Sequence, residues 1–262
     1  MSETARQKEA SNPLDYAMAS RDKDVMSLVR NALAAERCKL AFQPVVRSDQ
    51  RDQVAFYEGL IRVLDEGGRI IPAHQFMGSI EETEIGREID TASLKAGFQM
   101  LRENPHIRLS VNISARSLAD GKWRRTLESN LLQDETVGER LIVEINESSA
   151  MNLHEVVVRF MDELQPRGVA FALDDFGAGA TSFRHLKDFF FDMVKIDRCF
   201  ARGVEDSPDN QVLAEALMTV AHQFEMFAVS GGIESEAAAQ FMMKIGMDCL
   251  QGFHIGIPKM TL

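Results

Sequence analysis

Six short apolar runs in this chain each end on a residue that could do chemistry. Glu58 follows VAFY, Asn112 follows LSV, Glu144 follows LIV, the pair Asp174–Asp175 follows VAFAL, Lys195 follows MV, and Gln251 follows CL. Carboxylates and an amide oxygen are hard ligands, so the ion they imply is Mg2+ or Mn2+, or Ca2+, rather than zinc. Neighbouring strand residues point to opposite faces; Asp174 and Asp175 can therefore share a site only where the strand ends and the chain turns, which the following FGAG permits. Such a pair could touch two ions while a lysine beside it orients or activates a water, the equipment of metal-assisted phosphoester hydrolysis. Each residue alone could equally be a helix cap or a satisfied surface charge. Their convergence on one rim is more than capping requires.

The elements that would position them are legible as alternating periodicities. Short β-rich runs are CKLAFQPVV, VAFYEGLIRV, RLSVNIS, LIVEINE, VAFALDDF, MVKID, FAVSGG and CLQGFHIG. Between them lie segments whose apolar residues recur at three and four, among them DTASLKAGFQMLREN, LHEVVVRFMDELQPRG, DNQVLAEALMTVAHQFEM and SEAAAQFMMKIG. Eight strands with intervening helices predict an α/β fold, a (β/α)8 TIM-like barrel whose chemistry sits at the C-terminal strand ends. The first residues are polar, so the expected division is a tail over 1–24 and one domain over 25–262.

Composition narrows the function. With 262 residues, 45% hydrophobic and 26% charged, the chain can bury one large core. A net charge of −11 argues against a broad DNA- or RNA-binding surface, which needs clustered Lys and Arg. Three cysteines without CxxC spacing argue against a disulfide framework or structural zinc and fit a reducing cytoplasm. No apolar stretch approaches membrane-spanning length, so neither export nor anchoring is expected. The six histidines show no ligand spacing and read as surface or packing residues. FFFD at 189–192 reads as a buried helix end, with an exposed Phe as the mark of a dimer surface.

The stretches FQPVV (42–46), YEGLIR (57–62), SVNIS (110–114), VEINES (143–148), LDDFGAG (173–179), VKIDR (194–198) and LQGFHIGIP (250–258) together resemble the EAL domain, the bacterial cyclic di-GMP phosphodiesterase family, over roughly residues 26 to 260. EGL stands where the family usually has EAL. The resemblance implies that Glu58, Asn112, Glu144 and Asp174 are metal ligands, that Asp175 serves a second ion, and that Lys195 holds the attacking water. It further implies that Arg62 binds phosphate, with Gln43 and Leu60 also at the substrate. Gln251 then lies near the hydrolytic water, and Glu147 steadies the loop DFGAGATSFRH. The implied cofactor is Mg2+ or Mn2+, with Ca2+ inhibitory. The implied partner is cyclic di-GMP, hydrolysed to linear pGpG, with no nucleic acid or membrane and with a homodimer as the assembly. No second catalytic or receiver domain is expected in the chain, so regulation would come through dimerisation, expression or a separate protein.

One run breaks the pattern. FAVSGGIES stands where the family usually reads AEGVET, and the family's metal-binding glutamate lies twenty residues before its glutamine; counting back from Gln251 gives Gly231. Glu234 matches only the second glutamate. Asn146 also replaces a threonine, and Ala180 replaces a common aromatic. Three readings stay open: a cyclic di-GMP-binding protein with weak or lost hydrolysis, favoured by Gly231 beside Arg62; an active phosphodiesterase, favoured by the other ligands and Lys195; and a protein-interaction scaffold that no longer binds nucleotide.

Overall fold

The computed structural model describes residues 13–179 and 183–262. Its strands are β1 (Cys38–Arg47), β2 (Val54–Leu64), β3 (Ile70–Pro72), β4 (Leu109–Ile113), β5 (Leu141–Asn146), β6 (Ala170–Phe176), β7 (Met193–Ile196), β8 (Phe227–Ser230) and β9 (Cys249–Leu250). Its helices are α1 (Pro13–Ala34), α2 (Met77–Ile80), α3 (Glu84–Glu103), α4 (Gly121–Gln133), α5 (Glu147–Asn152), α6 (His154–Leu164), α7 (Phe183–Leu186), α8 (Arg198–Ala201), α9 (Pro208–Gln223) and α10 (Glu236–Ile245). The expected boundary at residue 24 falls inside α1, and residues 1–12 of the expected tail lie outside the described residues.

The sheet order β1-β9-β8-β7-β6-β5-β4-β2, with β1 also paired to β2, closes an eight-stranded barrel, and β3 adds outside it on β2. From β2 through β9 the barrel neighbours are parallel, whereas β1 runs antiparallel to both β2 and β9. The cause is the short link 48–53: a parallel crossover needs a dozen or more residues, so a link this short can only make a hairpin.

Strand alternation separates two apolar layers. Leu109, Val111, Leu141, Val143, Phe171, Leu173, Val194, Ile196 and Ala228 face the helices and join the main core. The opposite parity faces the lumen, where Val45, Phe56, Ile142, Ala172 and Val229 form a separate plug. Two residues further along β2, β5, β6 and β8, toward their C-terminal ends, the lumen positions become Glu58, Glu144, Asp174 and Gly231. The helix layer follows from sequence in the ordinary way. α3 buries Ile85, Ile89, Leu94, Phe98 and Leu101 along one face. Ser207 and Ser235 cap α9 and α10 by accepting from the N–H groups of Asn210 and Ala238. FFFD is an irregular lead into β7 rather than a helix end; Phe189 and Phe191 are buried and Phe190 is exposed.

Candidate active site

Lys195 is the centre of the upper lumen. It occupies the same inward register as Met193 on β7, and its Nζ donates to Glu58 Oε2 at 2.8 Å and to Glu144 Oε2 at 2.7 Å. Asp174 Oδ1 lies 3.5 Å from the same ammonium. Glu58 takes two further bonds, from Asn112 Nδ2 to Oε1 at 2.8 Å and from Gln251 Nε2 to Oε2 at 2.6 Å. Strands β2, β4, β5, β6, β7 and the end of β9 thus bring six of the expected site residues together in one hydrogen-bonded layer.

Three carboxylates face one ammonium in a buried layer, and the protonation states record the imbalance. Burial opposes ionisation of Glu58, but the Lys195 charge and the bonds from Lys195, Gln251 and Asn112 outweigh it and hold its carboxyl below the ordinary value. Glu144 goes the other way, pushed up to about 8 by burial and then by the Glu58 charge, against the pull of Lys195. Burial also raises Asp174, with Lys195 opposing. Burial alone would discharge Lys195; the charges of Asp174, Glu144 and Glu58 reverse that and keep it an ammonium. Among the described residues, Glu144 Oε1 is buried without a hydrogen-bond partner. An orphaned oxygen beside surplus negative charge is the mark of a seat for a cation.

Asp175 reaches the rim by a backbone device. Its φ is +55°, and the β6–β7 register shifts between Leu173 and Phe176. This one-residue bulge returns Phe176 to the core and frees Asp175 from pointing into the helix layer. Asn146 Nδ2 donates to Asp175 Oδ2 at 2.7 Å, while Asn146 Oδ1 caps α5 at the Ser148 N–H. Asp175 is pushed up to about 6, by burial first and then by the charges of Asp174 and Asp197. Asn146, weighed in the sequence only as a departure from threonine, is therefore a positioning group, and the register Asn146↔Asp174 across β5 and β6 is what places it. Ala180 lies outside the described residues.

The remaining expected residues ring this layer. Buried Glu147 accepts from the Gly177 N–H through Oε2 at 3.1 Å, tying the segment after β6 to α5. Gln43 is buried, donates to the Gly256 carbonyl at 3.0 Å and accepts from Gln251 at 3.4 Å. Leu60 and Arg62 continue the inward parity of Glu58 along β2, both half-buried. Arg62 Nη1 donates to the carbonyls of Ile61 and Leu60 at 3.0 and 3.3 Å. Burial lowers the Arg62 pKa, and the Glu58 charge opposes that.

The β8 sector is bare. Gly231 follows Val229 by two and so faces the lumen, between Ile196, whose carbonyl accepts its N–H at 3.2 Å, and Gln251, whose N–H bonds the Ser230 carbonyl at 2.9 Å. Among the described residues, a Cβ built there would meet only the Ile196 carbonyl oxygen, at 3.3 Å. Gly232 differs: its φ is +71° and a Cβ would lie 2.3 Å from Arg198 Cβ. Glu234 does not fill the gap; it is exposed, and its Oε1 lies 3.3 Å from Arg202 Nη2.

The comparisons with known proteins agree with this architecture. The family model for the EAL domain matches residues 27–258. The signaling protein YkoW of Bacillus subtilis is 27% identical, over 97% of this chain and 33% of its own length. The cyclic di-GMP phosphodiesterase PdeF of Escherichia coli is 28% identical, over 90% of this chain and 32% of its own. This chain thus spans about a third of the length of those relatives. Among solved structures, a PaMucR phosphodiesterase complex with c-di-GMP superposes with a TM-score of 0.79 at 26% identity, covering 90% of this chain and 97% of that one. The FimX EAL domain from Pseudomonas aeruginosa, bound to c-di-GMP, superposes with 0.82 at 23% identity, covering 91% and 97%. That second likeness speaks to the fold. No described helix is long and apolar enough to cross a membrane.

Proposed function

Because the chain belongs to the EAL-domain family, we propose that it binds cyclic di-GMP across the rim of the barrel and hydrolyses it to pGpG slowly or not at all. The observation that carries this reading is the contrast between a complete layer around Lys195 and a glycine at the lumen position of β8. The surviving carboxylates are a fitting seat for Mg2+ or Mn2+: the unpartnered Glu144 Oε1, with Glu58, Asn112 and Asp174, would hold one ion, and Asp175 a second. When bound, such ions supply Lewis-acid stabilisation of phosphate charge and an activated water. The residues of the chain do the rest. Arg62 offers a guanidinium to a phosphate on the β2 side, Lys195 and Gln251 can hold a water by donating to it, and Glu147 fixes the backbone at Gly177. Losing a ligand from such a shell lowers metal affinity or activity by about 10–100-fold even when only a supporting group is removed.

The intact Lys195 layer also favours the reading of an active phosphodiesterase, so the test must separate the two. Isothermal titration with cyclic di-GMP, with and without Mg2+, combined with a pGpG assay, does so. Binding in the micromolar range with little turnover supports the effector. Turnover comparable to an ordinary metal hydrolase, about 1–10³ s⁻¹, establishes the enzyme, and no heat with either ion state leaves the scaffold. The same proposal places the protein in the cytoplasm as a homodimer of residues 25–262, with exposed Phe190 near the contact, which sedimentation of wild type against Phe190→Ser tests.

A further inference from the structure

We propose a second metal site, separate from the barrel lumen and selective for a nitrogen-preferring divalent cation of the Zn2+ class, built by His154, His185 and Asp188. His154 opens α6, while His185 and Asp188 lie one turn apart where α7 leads toward β7, joined by the Asp188 N–H to the His185 carbonyl at 3.0 Å. His154 Nε2 lies 3.5 Å from Asp188 Oδ2, and His185 Nδ1 lies 3.8 Å from the same oxygen. All three donor atoms fall within 4.8 Å of one another. Tetrahedral zinc with bonds of about 2.0–2.1 Å sets its donors about 3.3 Å apart. Two of these separations therefore need to shrink by only a few tenths of an ångström.

The chemistry of the donors differs from that of the lumen. Two imidazoles and one carboxylate suit zinc and its first-row neighbours, whereas the all-oxygen rim suits Mg2+ or Mn2+. Among the described residues, His154 Nε2 is buried with no hydrogen-bond partner, and it lies 3.5 Å from Asp188 Oδ2. The His154 ring is held in place on its other sides, edge-on to Phe189 at 4.7 Å between centroids and 4.9 Å from the His185 ring. Orientation by surrounding packing is what keeps a metal-binding histidine ready. All three side chains retain some exposure, with Asp188 the most open, so an ion can enter and water can complete its coordination.

Position gives the site a consequence. The chain after β6 is fastened at Gly177 to Glu147 of α5, and His185 and Asp188 stand further along that same connection, beside the first residue of α6. A bound ion would fasten the connection at a second point to the same helical pair. Binding to the folded chain and not the unfolded one also raises the melting temperature, by mass action.

The test uses the whole protein stripped with EDTA, with Mg2+ in excess throughout, and titrates Zn2+ calorimetrically and Co2+ by visible absorption. One tight Zn2+ per chain and a Co2+ band of a nitrogen-containing, low-coordinate site are expected. Affinity should fall at least about tenfold in His154→Gln and in Asp188→Asn, and should persist in Glu144→Gln. No zinc uptake in excess Mg2+, unchanged affinity in Asp188→Asn, or loss in Glu144→Gln instead would each overturn the site. Circular dichroism checks that His154→Gln is folded; Asp188→Asn, at a half-exposed side chain, decides the matter if it is not.

Discussion

Two sectors of one barrel rim receive the same backbone and different side chains. From β2 round to β7 every lumen position at the upper level carries a polar group, and these groups bond one another around Lys195, with Glu144 Oε1 left over. On β8, one strand further, the equivalent position is Gly231. The strand pairing does not notice: Lys195↔Val229 and Ile196↔Ser230 keep their register, and Gly231 still donates to Ile196. A barrel thus holds its rim geometry through backbone ladders and its plug, so a ligand can be deleted with little cost to the fold. Chemistry is lost locally while architecture is kept.

The furnished sector is where the largest effect should appear. Lys195→Met removes the sole ammonium within reach of buried Glu58 and Glu144 among the described groups. Breaking a buried pair from one side costs about 3–5 kcal/mol, so urea unfolding without metal should show a loss of that order, and any Mg2+- or Mn2+-dependent pGpG formation should vanish. Unfolding unchanged from wild type would mean that the ammonium does not hold the layer together.

The bare sector offers the next test. Gly231→Glu should raise pGpG formation by about 10–100-fold, the usual cost of a defective metal shell. Its backbone is not in the left-handed region, and among the described residues the one near neighbour of a new Cβ is a carbonyl oxygen at 3.3 Å. The variant should therefore fold, which makes a null result informative. Gly232→Ala is the contrast: with φ at +71° and Arg198 Cβ at 2.3 Å, it should lower the melting temperature and restore nothing. A stable Gly231→Glu protein no faster than wild type would dispose of the missing-ligand explanation.

A smaller effect is expected from binding alone. Arg62→Ala should weaken cyclic di-GMP affinity about tenfold, the low end for a charge-assisted hydrogen bond of about 1.5 kcal/mol. Calorimetry in the presence and absence of Mg2+ reads it. Affinity equal to wild type would move the phosphate contact away from the β2 side of the rim.

Much of this was legible before any coordinates. The polar residue after each apolar run marks the lumen parity, because a strand that buries both faces shows its inward side only where the plug ends and the polar layer begins. The six-residue link between Arg47 and Val54 is too short for a crossover and forces β1 and β2 into a hairpin, which the expected strand–helix alternation did not include. Other features were hidden for physical reasons. CLQGFHIG reads as a strand, but only Cys249–Leu250 pairs, since the chain then turns so that the Ile255 N–H reaches the Gly252 carbonyl. The Asn146–Asp175 bond depends on a bulge that no periodicity announces. His154 and His185 are 31 positions apart, and their meeting depends on how the start of α6 lies beside α7. Ligand spacing within a segment is readable; proximity between segments is made by tertiary packing.

The smallest predicted effect guards the comparison itself. Glu234 is the acidic side chain nearest in sequence to Gly231, and if it turned inward it would supply the charge that β8 lacks. Its place argues otherwise: it lies beyond the inward position, is exposed, and sits 3.3 Å from the exposed guanidinium of Arg202. Surface pairs of this kind contribute about 0–1 kcal/mol, so the contact does not hold Glu234 outward by strength. The backbone holds it, since Ile233 is fully buried between, with its N–H on the Gln251 carbonyl, and the following Ser235 is committed to capping α10. Glu234→Ala should therefore leave pGpG formation and the Mg2+ requirement within about twofold of wild type, less than any metal-shell loss, and should shift the melting temperature little. A drop of tenfold or more, with the fold intact, would show that Glu234 reaches the ions in solution and that the two sectors of the rim are less different than their sequences make them.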